Sequence, residues 1–509
     1  MRIRTRTGLC FALSALLGAA FGLATPPFSA TASARAPKHA AAGATRDPQD
    51  VAARIVGEEM TANGAWPKLA WLADRIGPRL SGSPGAAAAV AWTLEEFRRD
   101  GLSNVRAEKV MVPHWVRGEE SARLVAPYGR RLLVTALGMS VPTPAEGVTA
   151  EIVEVDSLDA LKTLGDKARG RIVLFSHETT AGREMAGYGA TSPLRVKGPS
   201  EAARLGAVAA LVRSLGTLRA RLPHTGTLVY ADDAPKIPAA ALAEEDALLL
   251  HRLLEAGQPV RVHLSLGCVT LPDAESANVV AELRGRERPD EVVVIGGHLD
   301  SWDLGDGAID DGAGVVMAME ALRLLKHLDL VPRRTIRAVL YMNEENGARG
   351  GKTYVETHKD EMARHVAAIE SDSGADHPLG FRVAAGPGGE AAARALAAPL
   401  AAVGAADVKA ADEGGVDIGP MKAEGVPLLG LRQDVTHYFD WHHTAADTLD
   451  KVEPRALAEN AAAMAFMAWA LAESPEPLPR VPPAVPPAAP AAPIAPAAVP
   501  AIPTKPGAP

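Results

Sequence analysis

The chain has 509 residues, a formal net charge of −8, a hydrophobic content of 47% and a charged content of 22%. This length exceeds the size at which one hydrophobic core stops growing, so two domains are expected, and the composition excludes a wholly disordered protein. An acidic chain has no electrostatic attraction toward nucleic acids or anionic lipids, so partners of those kinds are not expected.

The first 34 residues have the order of a secretory signal. Three arginines within the first six residues precede an apolar run from Leu9 to Ala24, and small residues follow at positions 30–34. A membrane anchor is the less favoured alternative, because the run is shorter than the roughly 20 residues that span a bilayer. We therefore expect a secreted or periplasmic protein with no membrane span once the signal is removed.

The next segments alternate short elements. Helical patterns occupy residues 51–60, 64–76 and 86–101, with a turn-rich GPRLSGSPG connector before the third, and residues 105–112 alternate as in a strand. From residue 130 to residue 268 short strands such as GRIVLF and GAVAALV alternate with short helices. This change of pattern predicts a separate, smaller module inserted into the chain. It carries no evident cluster of metal-binding residues.

Beyond the insertion the pattern is that of an α/β protein. Residues 292–297 and 335–343 are apolar strands separated by an amphipathic helix over residues 314–328, and a further strand runs from 365 to 372. Continuous apolar strands that alternate with helices predict a mixed, mostly parallel central sheet covered by helices on both faces. A last helix over residues 454–473 suits such a cover.

These patterns predict a domain order for the whole chain. The expected segments are a signal peptide at 1–34, a flexible leader at 35–48, a catalytic domain at 49–129 and 269–473, the inserted domain at 130–268, and a disordered Pro/Ala-rich tail at 474–509. The tail composition favours extended polyproline II, which predicts a solvated spacer.

Residues suited to metal binding follow three successive strands. His298 follows the first strand, Glu344 and Glu345 follow the second, and Asp372 ends the third. Ligands in open α/β sheets gather at the carboxyl ends of the strands, so we expect these side chains to lie close together. Imidazole and carboxylate groups are the mixed ligand set that borderline and hard divalent metals prefer.

Two further pairs are candidates for the same site. Asp310 and Asp311 could bind a metal, or they could cap the helix that follows them. The late pair His442 and His443 could complete the ligand set. Neighbouring residues on an extended segment point to opposite sides, so we expect only one of the two histidines to face a given metal.

Five motifs, in this order, resemble the M28 family of zinc peptidases, and within it the carboxypeptidase Q-like group, also called plasma glutamate carboxypeptidase-like. The motifs are HLDS at 298–301, DDGAG at 310–314, NEENG at 343–347, ESDSG at 370–374 and HHTAADT at 442–448. The likeness covers about residues 50–472. By the same resemblance the inserted module is similar to a protease-associated (PA) domain, which in relatives shapes access to the site and helps dimerisation, so a homodimer is a possible state.

The resemblance implies two Zn²⁺ ions per chain, with Co²⁺ or Mn²⁺ as possible substitutes. The implied metal ligands are His298, Asp310, Glu345, Asp372 and His443. His298 and Asp372 would share the first ion, Glu345 and His443 the second, and Asp310 would bridge both. His442 is the alternative to His443, and the peptide bond between Asp310 and Asp311 is expected to be cis.

The resemblance also implies a mechanism. Glu344 would be the general base, taking a proton from a metal-bridging water and passing it to the leaving amine. Asp300 would accept the second ring N–H of His298 and fix its tautomer. We therefore expect an exported dizinc exopeptidase that hydrolyses dipeptides or short peptides.

Three alternatives stay open. One is an aminopeptidase that acts on longer peptides. The others are acyl transfer of the glutaminyl cyclase kind, which the insertion disfavours, and a non-catalytic receptor-like relative, which the filled ligand set disfavours.

Overall fold

The fold is described for residues 46–482 by a computed structural model. The predicted signal peptide and most of the Pro/Ala-rich tail lie outside these residues. No helix within residues 46–482 combines the length and the apolar character needed to cross a membrane.

Helices and strands alternate through most of the described chain. The helices are α1 (Pro48–Ala62), α2 (Ala65–Trp71), α3 (Pro84–Arg99), α4 (Leu158–Leu164), α5 (Ala186–Val196), α6 (Gly198–Arg204), α7 (Glu244–Glu255), α8 (Ala313–His327), α9 (Arg349–Thr357), α10 (Gly389–Ala397), α11 (Tyr438–Trp441) and α12 (Pro454–Glu473). The strands are β1 (Ser103–Val116), β2 (Glu120–Ala126), β3 (Arg130–Leu132), β4 (Val134–Ala136), β5 (Val148–Val155), β6 (Ile172–Phe175), β7 (Ala209–Arg213), β8 (Ala239–Leu242), β9 (Arg261–Leu266), β10 (Val269–Leu283), β11 (Arg288–His298), β12 (Arg334–Tyr341), β13 (His365–Glu370), β14 (Pro378–Ala384), β15 (Asp407–Ala410) and β16 (Leu428–Gln433).

The first sheet is mixed, in the order β1-β10-β12-β11-β13-β16-β14-β15. Its centre is parallel, because β12, β11, β13 and β16 all run in the same direction. β10 and β14 flank this centre in the antiparallel direction. The predicted fold class, a mixed and mostly parallel sheet in an α/β protein, is confirmed.

Helices cover both faces of this sheet, which explains why its central strands show no polar alternation. Val293 and Ile295 of β11 belong to the hydrophobic core that contains α8 and α12. Val292 and Val294, which point the other way, pack in a second core with Tyr354 of α9. A strand segment that is buried on both faces is apolar at every position, as residues 292–297 of β11 are.

A second sheet, in the order β3-β2-β9-β5-β6-β7-β8-β4, is built entirely from strands between Glu120 and Leu266. Residues of α7 pack in a core on one face, and residues of α4, α5 and α6 pack in a core on the other. We call this region the second lobe and the first sheet with its helices the first lobe. The likeness of the second lobe to a PA domain, and the predicted boundaries at residues 130 and 268, stay predictions.

A long antiparallel ribbon joins the two lobes. β1 has 14 residues and β10 has 15, and they pair along almost their whole length. The chain enters the second lobe after β1 and returns through β10. Sequence patterns did not predict β10, because its first half is exposed on the ribbon and contains Pro272 and two acidic residues.

Residues 474–482 differ from the expected disordered spacer. Leu478 is buried against the first lobe. The Arg480 guanidinium donates hydrogen bonds to the main-chain carbonyls of His365 at 3.0 Å and Glu424 at 2.6 Å. The predicted start of the tail at Ser474 is therefore wrong, because this segment has both an apolar anchor and a cation that satisfies exposed carbonyls.

Candidate metal centre

The carboxyl ends of three parallel strands bring the predicted site residues together. His298, the last residue of β11, lies opposite Tyr341, the last residue of β12. Gly296 of β11 lies opposite Glu370, the last residue of β13, on its other side. The loops that carry Glu344 and Asp372 therefore begin at one edge of the sheet.

His298, Asp310 and Asp372 form one group of potential ligands. The Nε2 atom of His298 lies 3.2 Å from Oδ1 of Asp310 and 3.6 Å from Oδ1 of Asp372. His298 is 1% exposed, whereas the side chain of Asp372 is 18% exposed, so the group is open to solvent only on the Asp372 side. The main-chain carbonyl of Asp300 accepts a hydrogen bond from Nδ1 of His298 at 2.9 Å, which leaves Nε2 free to bind a cation.

His443, Glu345 and Asp310 form a second group. The Nε2 atom of His443 lies 3.1 Å from Oε2 of Glu345 and 3.2 Å from Oδ2 of Asp310. Asp310 therefore belongs to both groups, with Oδ1 facing His298 and Oδ2 facing His443. The five predicted metal ligands thus lie in two adjoining sets that share one carboxylate.

Unpartnered oxygen atoms show that these residues fit divalent cations. Oδ2 of Asp310 and Oε1 of Glu345 are buried and accept no hydrogen bond from the residues described. Burying carboxylate oxygens without a partner is costly, and a cation between the imidazole and carboxylate atoms would remove that cost. Mixed nitrogen and oxygen donors of this kind suit zinc.

The adjacent acids Asp310 and Asp311 have different surroundings. Asp311 accepts the main-chain N–H of His298 through Oδ2 and that of Gly314 through Oδ1, both at 3.0 Å. Asp311 therefore supports the start of α8, while Asp310 faces the ligand groups. The peptide bond between them is cis, as the resemblance implied.

The expectation that His442 and His443 point to opposite sides is wrong. Their rings stack with centroids 3.6 Å apart, and Nε2 of His442, like that of His443, lies 3.2 Å from Oδ2 of Asp310. The cause is the backbone of His443, whose φ of 59° lies in the left-handed region. The alternation of an extended segment does not hold there. Only His443 has a close contact with Glu345, which favours it over His442 as the ligand.

Asp300 contacts its neighbours differently from the expectation. Its Oδ1 accepts the main-chain N–H groups of Asn343 at 2.7 Å and Glu344 at 3.1 Å. The same oxygen lies 3.8 Å from Nδ1 of His298, which donates to the carbonyl of Asp300 instead. The carboxylate of Asp300 thus orients the segment that carries Glu344, and the main chain of Asp300 orients His298.

Burial changes the acidity of the carboxyl groups in the site. Burial, together with the carboxylates of Asp372 and Glu345, raises the pKa of Glu344 well above its usual range. Burial and the nearby charge of Asp310 raise the pKa of Glu345 to about 7. Burial alone would raise the pKa of Asp310 as well, but the histidines around it hold that pKa well below its usual range. Bound cations would favour the ionised forms of all three.

Arg79, in the connector that was predicted only as a turn, fixes the loop after β11. It is fully buried and donates hydrogen bonds to the main-chain carbonyls of Leu299, Asp306 and Gly307, each at 2.7 Å. From the other end of the loop, Asp447 accepts the N–H of Ile309 at 2.8 Å. An arginine between Pro and Leu in a turn-rich segment was the only sequence signal for this role.

His224 of the second lobe is a further residue that the sequence did not reveal. Its Nε2 lies 3.1 Å from Nδ1 of His442, and its ring centroid lies 5.2 Å from those of His442 and His443. The insertion thus contributes one histidine to a group whose other two members, His442 and His443, lie outside it. A lone histidine in an LPHTG loop gives no signal, because its partners lie 218 positions further along the chain.

A pocket of about 590 Å³ opens beside Glu344, between the two lobes. The first lobe contributes Glu344 and Asn346 to its lining. The second lobe contributes Met139 and residues 227–230. A molecule in this pocket would contact the candidate base on one side and the second lobe on the other.

The chain is similar to proteins of known family. Peptidase family M28 matches residues 278–468. Carboxypeptidase Q of Mus musculus is 39% identical over 435 residues, which cover 85% of this chain and 91% of that protein. Carboxypeptidase Q of Homo sapiens is 38% identical over 418 residues, with 82% and 87% covered.

Solved structures of similar proteins point to the same family. A peptidase M28 precursor from Shewanella amazonensis has a TM-score of 0.83 and 39% identity, covering 86% of this chain and 99% of that chain. A zinc aminopeptidase from Bacillus subtilis has a TM-score of 0.61 at 20% identity, covering 80% and 94%, and this likeness shows the fold alone. With close to 40% identity along most of both chains, the protein belongs to peptidase family M28 and is a peptidase.

Proposed function

We propose that the protein is an exported metallo-exopeptidase with two zinc ions, which hydrolyses dipeptides or short peptides. The observation that carries this proposal is the pair of ligand groups that share Asp310, next to Glu344 at the edge of an open pocket. His298 and Asp372 would hold one ion, and Glu345 and His443 would hold the other. Zinc is favoured by the donor set and by the zinc aminopeptidase of the same fold.

The zinc ions and the protein side chains would have different roles in the reaction. Zinc, when bound, acidifies water and polarises a carbonyl group. Glu344 binds no cation in this arrangement and is free to take a proton from the attacking water and to deliver it to the leaving amine. Asp300 holds the main chain of Glu344 in position for that transfer.

A preference for short peptides is supported by the walls of the pocket. Residues 227–230 of the second lobe face the loop of Glu344 across it, so a long chain on that side would meet the second lobe. The similarity to carboxypeptidase Q favours the same interpretation.

The remaining parts of the proposal rest on the sequence. Export is supported by the order of the first 34 residues. The catalytic domain at 49–129 and 269–473, a PA-like domain at 130–268 and a homodimer follow from the family likeness. The second sheet spans residues 120–266, so its strand β2 precedes the proposed boundary at residue 130.

The test is a panel of dipeptides and longer peptides, each with free and with blocked ends, assayed before chelation, after chelation and after zinc is restored. We expect release of free amino acids from dipeptides, loss of release on chelation and recovery with zinc. Faster cleavage of long peptides from the amino end would favour the aminopeptidase alternative. Formation of pyroglutamate without hydrolysis would contradict the proposal.

A further inference from the structure

His224 is held rigidly at the boundary between the lobes. It is 1% exposed, and its main-chain N–H donates to Oγ of Ser214 at 2.9 Å. The hydroxyl of Ser214 in turn donates to the carbonyl of Leu242, the last residue of β8, at 2.6 Å. The imidazole of His224 therefore has a position set by the second sheet and not by a free loop.

The ring of His224 contacts a ring that faces the metal ligands. Its Nε2 lies 3.1 Å from Nδ1 of His442, whose own Nε2 lies 3.2 Å from Oδ2 of Asp310. No hydrogen bond joins that Nε2 to Asp310, so the hydrogen bond between the two rings can run in either direction, with one nitrogen donating and the other accepting. The Nδ1 atom of His224 has no partner among the described residues, so its contact with His442 is the ring's one hydrogen bond there.

The next residue of the same segment orients His443. The main-chain N–H of Thr225 donates to the carbonyl of His443 at 2.9 Å, and the carbonyl of Thr225 lies 3.4 Å from Nδ1 of His443. Arg117 and Arg195 contact Thr225 in turn, through its hydroxyl and its carbonyl respectively, each at 3.3 Å. Two adjacent residues of the second lobe thus contact both members of the histidine pair.

We propose that His224 is a positioning residue of the metal centre, which orients His442 against Asp310 and, with Thr225, makes the second lobe a structural part of that centre. The inference rests on the proposed function, because it concerns the same metal ligands. Partners that contact the second ring nitrogen of a metal ligand fix its orientation, and their loss weakens metal affinity by about 10- to 100-fold. Thr225 has that place beside His443, whereas His224 acts one contact further away, through His442. The second lobe then contributes to metal binding as well as to the wall of the pocket.

The test compares His224→Ala and His224→Gln with His251→Ala, a control at a partly exposed histidine of the same lobe. Zinc affinity is measured by competition with a chromophoric chelator, the coordination by the visible spectrum of the Co²⁺-loaded protein, and folding by thermal unfolding of the chelated protein. For His224→Ala we expect up to about 10-fold weaker zinc binding, the lower end of the range for direct partners of a ligand, with an altered Co²⁺ spectrum and a lower kcat with little change in KM. The amide of His224→Gln can donate a hydrogen bond and should recover part of each loss.

Several results would overturn this proposal. Wild-type zinc affinity and Co²⁺ spectrum in His224→Ala would mean that His224 positions nothing. A variant that holds one ion fewer at saturating zinc would mean that His224 is itself a ligand. Equal loss of zinc affinity in His251→Ala would mean that the effect is not specific. A wild-type protein that binds no zinc would instead contradict the proposed function.

Discussion

At the scale of single residues, adjacent polar groups in this site have different tasks. Asp310 faces both ligand groups, whereas Asp311 accepts two main-chain N–H groups. The carboxylate of Asp300 holds the segment of Glu344, whereas its carbonyl accepts from His298. The two proposed tasks, metal binding and proton transfer, would thus depend on different atoms of Asp300.

Asp300→Asn tests whether the carboxylate of Asp300 serves Glu344 and its main-chain carbonyl serves His298. We expect kcat to fall by about 10- to 100-fold, because the main chain of Glu344 loses a charged acceptor. Zinc affinity should stay within about twofold, because the acceptor for His298 is a main-chain carbonyl. Steady-state kinetics and chelator competition on the same preparation check both values. A large loss of zinc affinity would show that the carboxylate, and not the carbonyl, supports His298.

Glu59 provides a test of pH dependence away from the site. Burial and the charge of Glu320 raise the pKa of Glu59 from 4.5 to about 8. The folded protein therefore holds a proton that the unfolded chain releases, so this group makes the free energy of unfolding fall as pH rises from about 4.5 to about 8. The slope from one such group is at most about 1.4 kcal/mol per pH unit.

Glu59→Gln should remove that slope and leave the variant more stable than the wild type at pH 8. Urea denaturation of the chelated protein between pH 5 and pH 8 measures it. Glu58→Gln, on the same helix but partly exposed, is the control and should keep the wild-type slope. An unchanged slope in Glu59→Gln would contradict the assignment.

The sequence predicts which residues lie in the site where strand ends determine their position. It does not predict residues whose position depends on backbone conformation or on packing between the lobes. The His298, Glu344 and Asp372 positions follow from where apolar strands end. The orientation of His442 depends on the left-handed backbone of His443, which no side-chain pattern reveals. His224 depends on packing between two lobes, which local sequence does not encode.

At the scale of elements, the carboxyl ends of the parallel strands position the site, and the helices on one face hold them. α1, α2, α8 and α12 share one hydrophobic core. Of the four parallel strands at the centre, β11, β12 and β13 were predicted from their apolar runs, whereas β16 was not. β10 was not predicted either, since its exposed half contains Pro272 and two acidic residues and resembles a loop.

The contact between α2 and α8 is tight at Gly64. A Cβ atom on Gly64 would lie 2.3 Å from Oε1 of Glu320, a carboxylate that Lys68 holds at 2.8 Å. We expect Gly64→Ala to lower the free energy of unfolding by about 1–3 kcal/mol through this overlap.

Gly57→Ala in α1 is the matched control, since its Cβ would meet nothing within 4 Å. It should stabilise the protein by up to about 1 kcal/mol. Chemical denaturation measures both, and similar effects would contradict the packing argument.

At the scale of the whole molecule, the proposed metal centre lies where the two lobes meet. Its ligands come from the first lobe, and the residues that orient the histidine pair come from the second. Anything that binds only the folded state stabilises it, by about 2.7 kcal/mol when its concentration is 100 times its Kd. Zinc should therefore raise the Tm of the protein.

Thermal unfolding over a series of zinc concentrations checks this expectation. The Tm of the wild type should rise with zinc, and chelation should lower it again. In Asp310→Ala the shift should be largely lost, because that residue belongs to both ligand groups. A full zinc-dependent shift in Asp310→Ala would mean that the stabilising ion binds elsewhere.

The central claim is that Glu344 moves protons for a reaction at a metal centre that it does not help to form. The most direct measurement is the kcat for a dipeptide substrate in Glu344→Gln, together with the zinc content of the same sample. The account predicts wild-type zinc content and a kcat at least about 100-fold lower, as expected when a general base is removed. Full activity with zinc bound would contradict it.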